Sequence, residues 1–131
     1  MQAKTIIIDG VEYSLTPVNQ NGFIGEVNGK RYYLGPEADE QMTQEEARDW
    51  CASLGDNFEL PSRVVMLLCY NNKELRKQFQ TDDYYWTNDE YENDSSRGWY
   101  QTFTSGHQGY HNKTTANYVR AVRVEEAKPQ N

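Results

Sequence analysis

The sequence predicts an α+β domain in which two helices pack on a mixed, mainly antiparallel sheet, preceded by an N-terminal β-meander. Three observations carry this. Two-residue turn signals, Asp9-Gly10 and Asn28-Gly29, each separate short runs of strand-forming residues near the start of the chain. Two helical patterns follow between residues 43 and 80. From Tyr84 to Arg123, aromatic and β-branched residues alternate with polar loops too elaborate for plain connectors. With 131 residues the chain is long enough for one domain with its own core.

The elements can be justified in order. Ile6–Ile8 and Val11–Leu15 flank Asp9-Gly10, and Gly22–Val27 and Lys30–Leu34 flank Asn28-Gly29. Val11, Tyr13 and Leu15 share one face of their strand, with Glu12 and Ser14 on the other. Gly35-Pro36 ends this unit, so residues 1–36 are expected to form the meander, and Glu37–Gln41 a polar connector. The first helix is expected over about 43–54. Thr43 and Glu46 have capping-box spacing, Glu45 and Glu46 suit the positive end of the helix dipole, and Gly55 suits its C-terminus. Ala47, Trp50, Cys51 and Leu54 form its buried stripe. Pro61 holds Leu60 extended and Ser62 caps a second helix, expected over about 63–80, with an apolar first half and a solvated second half.

Four strands complete the domain: Tyr84–Thr87, Gly98–Thr104, His107–Asn112 and Tyr118–Val124. The last has apolar residues on both faces, as a central strand requires. Trp86, Trp99 and Phe103 are expected in the core. The tail, 125–131, is polar and contains Pro129, so it is expected to be disordered.

Composition narrows the function. The net charge of −7 argues against a phosphate-backbone binder, so no direct contact with nucleic acid is expected. It fits a cationic partner, simple solubility, or imitation of nucleic acid on a host enzyme. Ten tyrosines suit recognition loops, although tyrosine is also a good strand residue. No signal peptide is visible, and no apolar run is long enough to span a membrane. Cys51 and Cys69 fall in apolar helical patterns, which fits buried reduced thiols; a disulfide between them is the alternative. The sequons at Asn93 and Asn112 read as chance matches without a secretory signal.

The order of motifs has a further meaning. A Cys-bearing helix is followed by Leu60-Pro61-Ser62-Arg63 opening a second helix, then Tyr85-Trp86-Thr87. An aromatic strand from Trp99 ends in Ser105-Gly106, and Val119-Arg120-Ala121-Val122-Arg123 closes the pattern. This resembles the Lcl C-terminal domain family of bacterial surface proteins, phages and prophages, over roughly residues 42–124. Departures are Ser62 for threonine, Ala121 where cysteine is frequent, and the Asp/Glu/Asn-rich loop after Trp86. The resemblance implies a C-type-lectin-like domain over 37–124, similar in fold to C-type lectins and to the formylglycine-generating-enzyme-like group. It supports fold more than function.

Candidate chemistry is sparse. The loop Asn88-Asp89-Glu90-Tyr91-Glu92-Asn93-Asp94 offers oxygen ligands of the kind calcium takes, but Thr87 interrupts the Trp-Asn-Asp pattern of calcium-dependent lectins; the plain alternative is a solvated acidic turn. His107 and His111 would share one face of a strand, with no third metal ligand nearby in sequence. No cysteine follows Cys69, so the reactive pair of the formylglycine-generating group does not carry over, and neither a phosphate loop nor a serine elbow is present. No enzyme activity and no cofactor are therefore expected.

What remains is a binding surface. Asp89, Tyr91, Glu92, Asn93, Asp94, Tyr100, His107, Tyr110 and His111 are its candidate residues, mixing aromatic and hydrogen-bonding groups. The expected function is that of a non-catalytic phage- or prophage-derived module that recognises a host protein or surface glycan, such as a tail-associated part, with a homo-oligomer as one option. The alternatives are a small acidic intracellular phage protein that inhibits a host defence or nucleic-acid enzyme, and a calcium-dependent carbohydrate binder. The corresponding location is the host cytoplasm or the virion.

Overall fold

A computed structural model describes residues 5–8, 11–14 and 22–127. β1 (Thr5–Ile8) and β2 (Val11–Ser14) pair antiparallel, Ile8 opposite Val11, the register a two-residue hairpin demands. The Asp9-Gly10 turn itself, Leu15 and residues 128–131 of the tail lie outside the described residues. β3 (Phe23–Val27) and β4 (Lys30–Glu37) flank Asn28 and Gly29, whose φ values of 51° and 78° make the primed turn that this dipeptide favours.

Among the described residues β3 and β4 pair in a different sheet from β1 and β2. They lead a four-stranded sheet in the order β3-β4-β9-β5, where β5 is Phe58–Glu59 and β9 is Arg120–Glu126. Residue 36 therefore lies inside β4 rather than at a boundary, since Tyr32, Tyr33 and Leu34 pair with Val124, Arg123 and Val122. Likewise Glu125 and Glu126, read from sequence as the start of a disordered tail, are strand residues opposite Arg31 and Lys30. The physical reason is that β4 has two hydrogen-bonding edges, and β9 supplies the partner for the one that β3 leaves open. A second sheet, β6 (Tyr84–Glu90), β7 (Arg97–Thr102) and β8 (Gln108–Asn112), is also antiparallel. It is joined to the first at a parallel bridge between Tyr85 and Tyr118.

α1 (Gln44–Ser53) begins at the expected capping box. The Glu46 amide donates to Thr43 Oγ1, and the Thr43 amide to the Glu46 carboxylate. The second helix is shorter than expected. α2 (Arg63–Asn71) stops at Asn72, whose extended backbone and side-chain oxygen start α3 (Lys73–Arg76) by accepting from the amides of Glu74 and Leu75. Asparagine competes for backbone partners in this way, and a continuous pattern of helix formers hides it.

The two main helices cover different cores. α2 packs on β3, β6 and β7, and Val65, Met66, Cys69, Leu75, Phe79, Tyr85, Phe103 and Val122 form one apolar cluster. α1 packs on β5, β6 and β9, and Ala47, Cys51, Leu60, Trp86, Val119 and Ala121 form the other. Tyr85 and Trp86 are neighbours on β6 and enter opposite cores, as do Ala121 and Val122 on β9. Successive side chains on a strand point to opposite faces, so only a strand covered on both sides can bury two adjacent large residues. Trp50 is half-buried at the edge of the second core.

Candidate functional site

β7 and β8 decide which candidate residues meet. Trp99 faces Tyr110 and Tyr100 faces Gly109 across the strand pair, so Trp99 and Tyr110 project from one face of the sheet and Tyr100 and His111 from the other. The nine candidates from sequence are therefore divided between two surfaces rather than gathered in one.

On the first surface, Tyr91 and Tyr110 stack with ring centroids 3.8 Å apart, and Trp99 meets both edge-on at 5.6 Å. Trp99 is half-buried and belongs to this surface, not to the core where the sequence led us to expect it; Trp86 and Phe103 are buried as expected. Its indole NH donates to Glu92 at 3.2 Å, and the Arg63 guanidinium lies over its ring, 3.5 Å from the centroid. Arg63 follows the N-cap Ser62. Its amide donates to Asp89 at 2.7 Å and its Nε to Gln108 at 3.0 Å. Gln108 in turn donates to the Arg63 carbonyl and to Gln101, and the fully buried Gln101 donates to the Met66 carbonyl. This chain of bonds runs from the core to the guanidinium and holds the cation over the indole.

The apolar part of this surface comes from α2. Among the described residues the exposed large hydrophobic side chains are Val64 at 52%, Leu67 at 38% and Tyr110 at 39%. Val64 and Leu67 line a cavity of about 380 Å³ together with Arg63, Trp99, Gln108 and Glu92, and Tyr110 adjoins it through Trp99. Sequence reasoning missed Arg63, Val64 and Leu67. The signal for the last two was present: apolar residues surround α2, more than the buried Val65, Met66 and Cys69 and the partly buried Leu68 and Tyr70 that serve the core.

The acidic loop is held by its own neighbours. Asp89 caps Arg63, and Glu90 receives Lys113 Nζ at 2.6 Å, which keeps its carboxyl below the usual range. Glu92 is lowered by its own amide and then by Trp99, and Asp94 by the hydroxyl and amide of Ser96. Asn93 donates to the Tyr91 hydroxyl. The carboxylates point to separate partners, and no group of three or more His, Cys, Asp or Glu side chains converges among the described residues.

On the second surface His111 sits 4.2 Å from Tyr100 and 4.7 Å from Tyr84, centroid to centroid, and its Nδ1 is 3.2 Å from the Asn117 amide nitrogen. His107 lies 6.1 Å from Tyr100. The Gly109 position is taken up by Tyr100: a Cβ there would stand 2.6 Å from its hydroxyl.

Cys51 and Cys69 are free and fully buried, one in each core. Burial pushes both thiols up to about 12, so neither presents a thiolate.

No family model and no curated protein matches the sequence. Among solved structures the chain is similar to botrocetin, with a TM-score of 0.51 at 12% identity over 81% of this chain and 97% of that one. A complex of botrocetin with a von Willebrand factor A1 domain carrying I546V gives a TM-score of 0.46 at 12% identity, over 78% of this chain and 95% of that one. The fold is C-type-lectin-like.

Proposed function

We propose that the protein is a non-catalytic binding module that grips a protein partner through the surface built from Trp99, Tyr91, Tyr110, Arg63, Val64 and Leu67. One observation carries the reading: the exposed large hydrophobics among the described residues collect beside a Trp–Arg–Tyr cluster that is tied together by hydrogen bonds and ring contacts. Tryptophan, tyrosine and arginine dominate the energetics of protein interfaces, and a preorganised cluster loses little entropy on binding. The buried thiols and the separately engaged carboxylates leave this surface suited to contact rather than covalent chemistry.

The finer assignment follows from the motif order, which supports placing the chain in the Lcl C-terminal domain family and reading it as phage- or prophage-derived, with a host macromolecule as its target. A C-type-lectin-like scaffold suits that role because it displays loops on a stable double core. The test is affinity capture from host-cell extract with the wild type and with Trp99→Ala and Arg63→Ala. We expect one protein at a fixed stoichiometry with the wild type and at least about a hundredfold weaker binding by Trp99→Ala, the effect of removing a central interface anchor. A captured envelope component would make the protein a recognition part, and a captured intracellular enzyme would make it an inhibitor. Equal capture by both variants would refute this surface as the site. Recovery of glycan alone, lost on chelation, would replace the reading with a calcium-dependent sugar binder.

A further inference from the structure

The opposite face of the three-stranded sheet carries a groove of about 500 Å³ that the reading above leaves unused. Tyr84 and Tyr100 line it, their ring centroids 4.5 Å apart and tilted by 51°, with His107 beside Tyr100. Asp82 and Asp83 line it too, with Thr102, Thr104 and Ser105. Neither a lysine nor an arginine is among the described residues that form it.

Asp82 and Asp83 take no part in the ion pairs formed among the described residues, a condition they share with Asp89 and Glu92. Glu37, Glu74, Glu90, Asp94 and Glu125 each have a lysine or arginine within ion-pair distance. Asp82 and Asp83 are held by neutral donors: Asp82 by the Tyr118 hydroxyl at 3.1 Å, Asp83 by the Gln41 amide at 3.0 Å and the Tyr84 backbone at 2.8 Å. Neutral donors fix the carboxylates in place without cancelling their charge. Two anions without a paired cation thus line the groove beside a pair of tyrosine rings.

We propose that this groove takes the basic side chain of a polypeptide partner, with arginine as the best fit. The planar guanidinium stacks on tyrosine faces and hydrogen-bonds to carboxylates in the same plane, whereas an ammonium does only part of this. A neutral side chain gains neither the aromatic nor the carboxylate term, and an anion is repelled. The groove and the Trp99 surface lie on opposite faces of one sheet, so this site stands or falls independently of the proposed function.

The test is an NMR titration of the ¹⁵N-labelled full chain with Nα-acetyl-arginine amide and with its neutral isostere, Nα-acetyl-citrulline amide. We expect saturable shifts confined to residues 81–84 and 100–107 with the arginine probe, and binding weaker by about tenfold or more with citrulline. Ser105→Lys, an exposed position that supplies the groove with its own cation, should abolish the shifts while leaving the rest of the spectrum in place. Asp82→Asn with Asp83→Asn should weaken them by a similar factor. Equal affinity for the two probes, or shifts that spread to the acidic residues 56–59 and 125–126 and survive Ser105→Lys, would overturn the proposal.

Discussion

Gly98 shows how closely single residues are specified. A Cβ there would stand 2.5–2.7 Å from the amide of Gln44, which is fully buried and donates to the carbonyls of Thr87 and Asp89. The amide has no room to retreat without giving up those bonds. Gly98→Ala should cost about 1–3 kcal/mol, the range for overpacking a dense interior, and urea denaturation will show it as a lower midpoint. The two cysteines make a different residue-scale prediction. Burial raises both folded thiols to about 12, while an unfolded thiol titrates near 8.5. Below the unfolded value both states keep their protons and the thiols contribute nothing. Between about 9 and 12 the unfolded chain releases protons that the folded one retains, so stability falls as pH rises through that window. The Tyr85 hydroxyl, raised by burial and then by its bond to Glu37, acts in the same direction. Denaturation midpoints measured from pH 8 to 11 should decline, and less steeply in Cys69→Ala.

At the scale of elements, termini and breaks carry the specificity. Thr43 begins α1 by accepting from Glu46, and that helix holds Ala47 and Cys51 against Trp86 in the second core. Thr43→Ala should lower stability by about 1 kcal/mol, readable from the same urea curves, without changing the near-ultraviolet signature of the folded state. Asn72 acts in the opposite sense. By capping α3 it ends α2, so the chain turns and Leu75 and Phe79 drop into the first core, where Phe79 stacks on Phe103 with centroids 3.9 Å apart. A helix continuous to residue 80 would carry these two residues onward along its axis instead.

For the whole molecule, β6 and β9 are the shared wall of two cores, and β9 is hydrogen-bonded on both edges, to β4 and to β5. A chain beginning at residue 37 would lack both β3 and β4, expose one edge of β9, and lose Ile24, Tyr32 and Leu34 from the first core. We expect it not to fold cooperatively: its thermal transition should broaden or vanish, and amide protection across β9 should be lost. A sharp transition in that truncated chain would show that residues 37–124 form a domain by themselves.

Much of the local structure was written in the sequence. The turn at Asn28-Gly29, the capping box at Thr43 and the cap at Ser62 depend on bonds within a few residues, and apolar residues on both faces marked β9 as central before any strand was paired. Only the tertiary structure decided what each face would meet. Alternation tells that Trp99 and Tyr100 point to opposite sides of β7, but not how far a helix reaches along either side: only the start of α2, at Arg63, lies over Trp99, which stays half-buried, while Trp86 is fully buried. The same uncertainty divided the candidate binding residues into an aromatic–arginine patch and a tyrosine-lined acidic groove, and placed Arg63, read from sequence only as part of a helix-opening motif, over an indole ring that lies 36 positions later in the chain. Local bonds follow from neighbouring residues; the pairing of β4 with β9 and the covering of one sheet face depend on which distant segments together bury the most apolar surface.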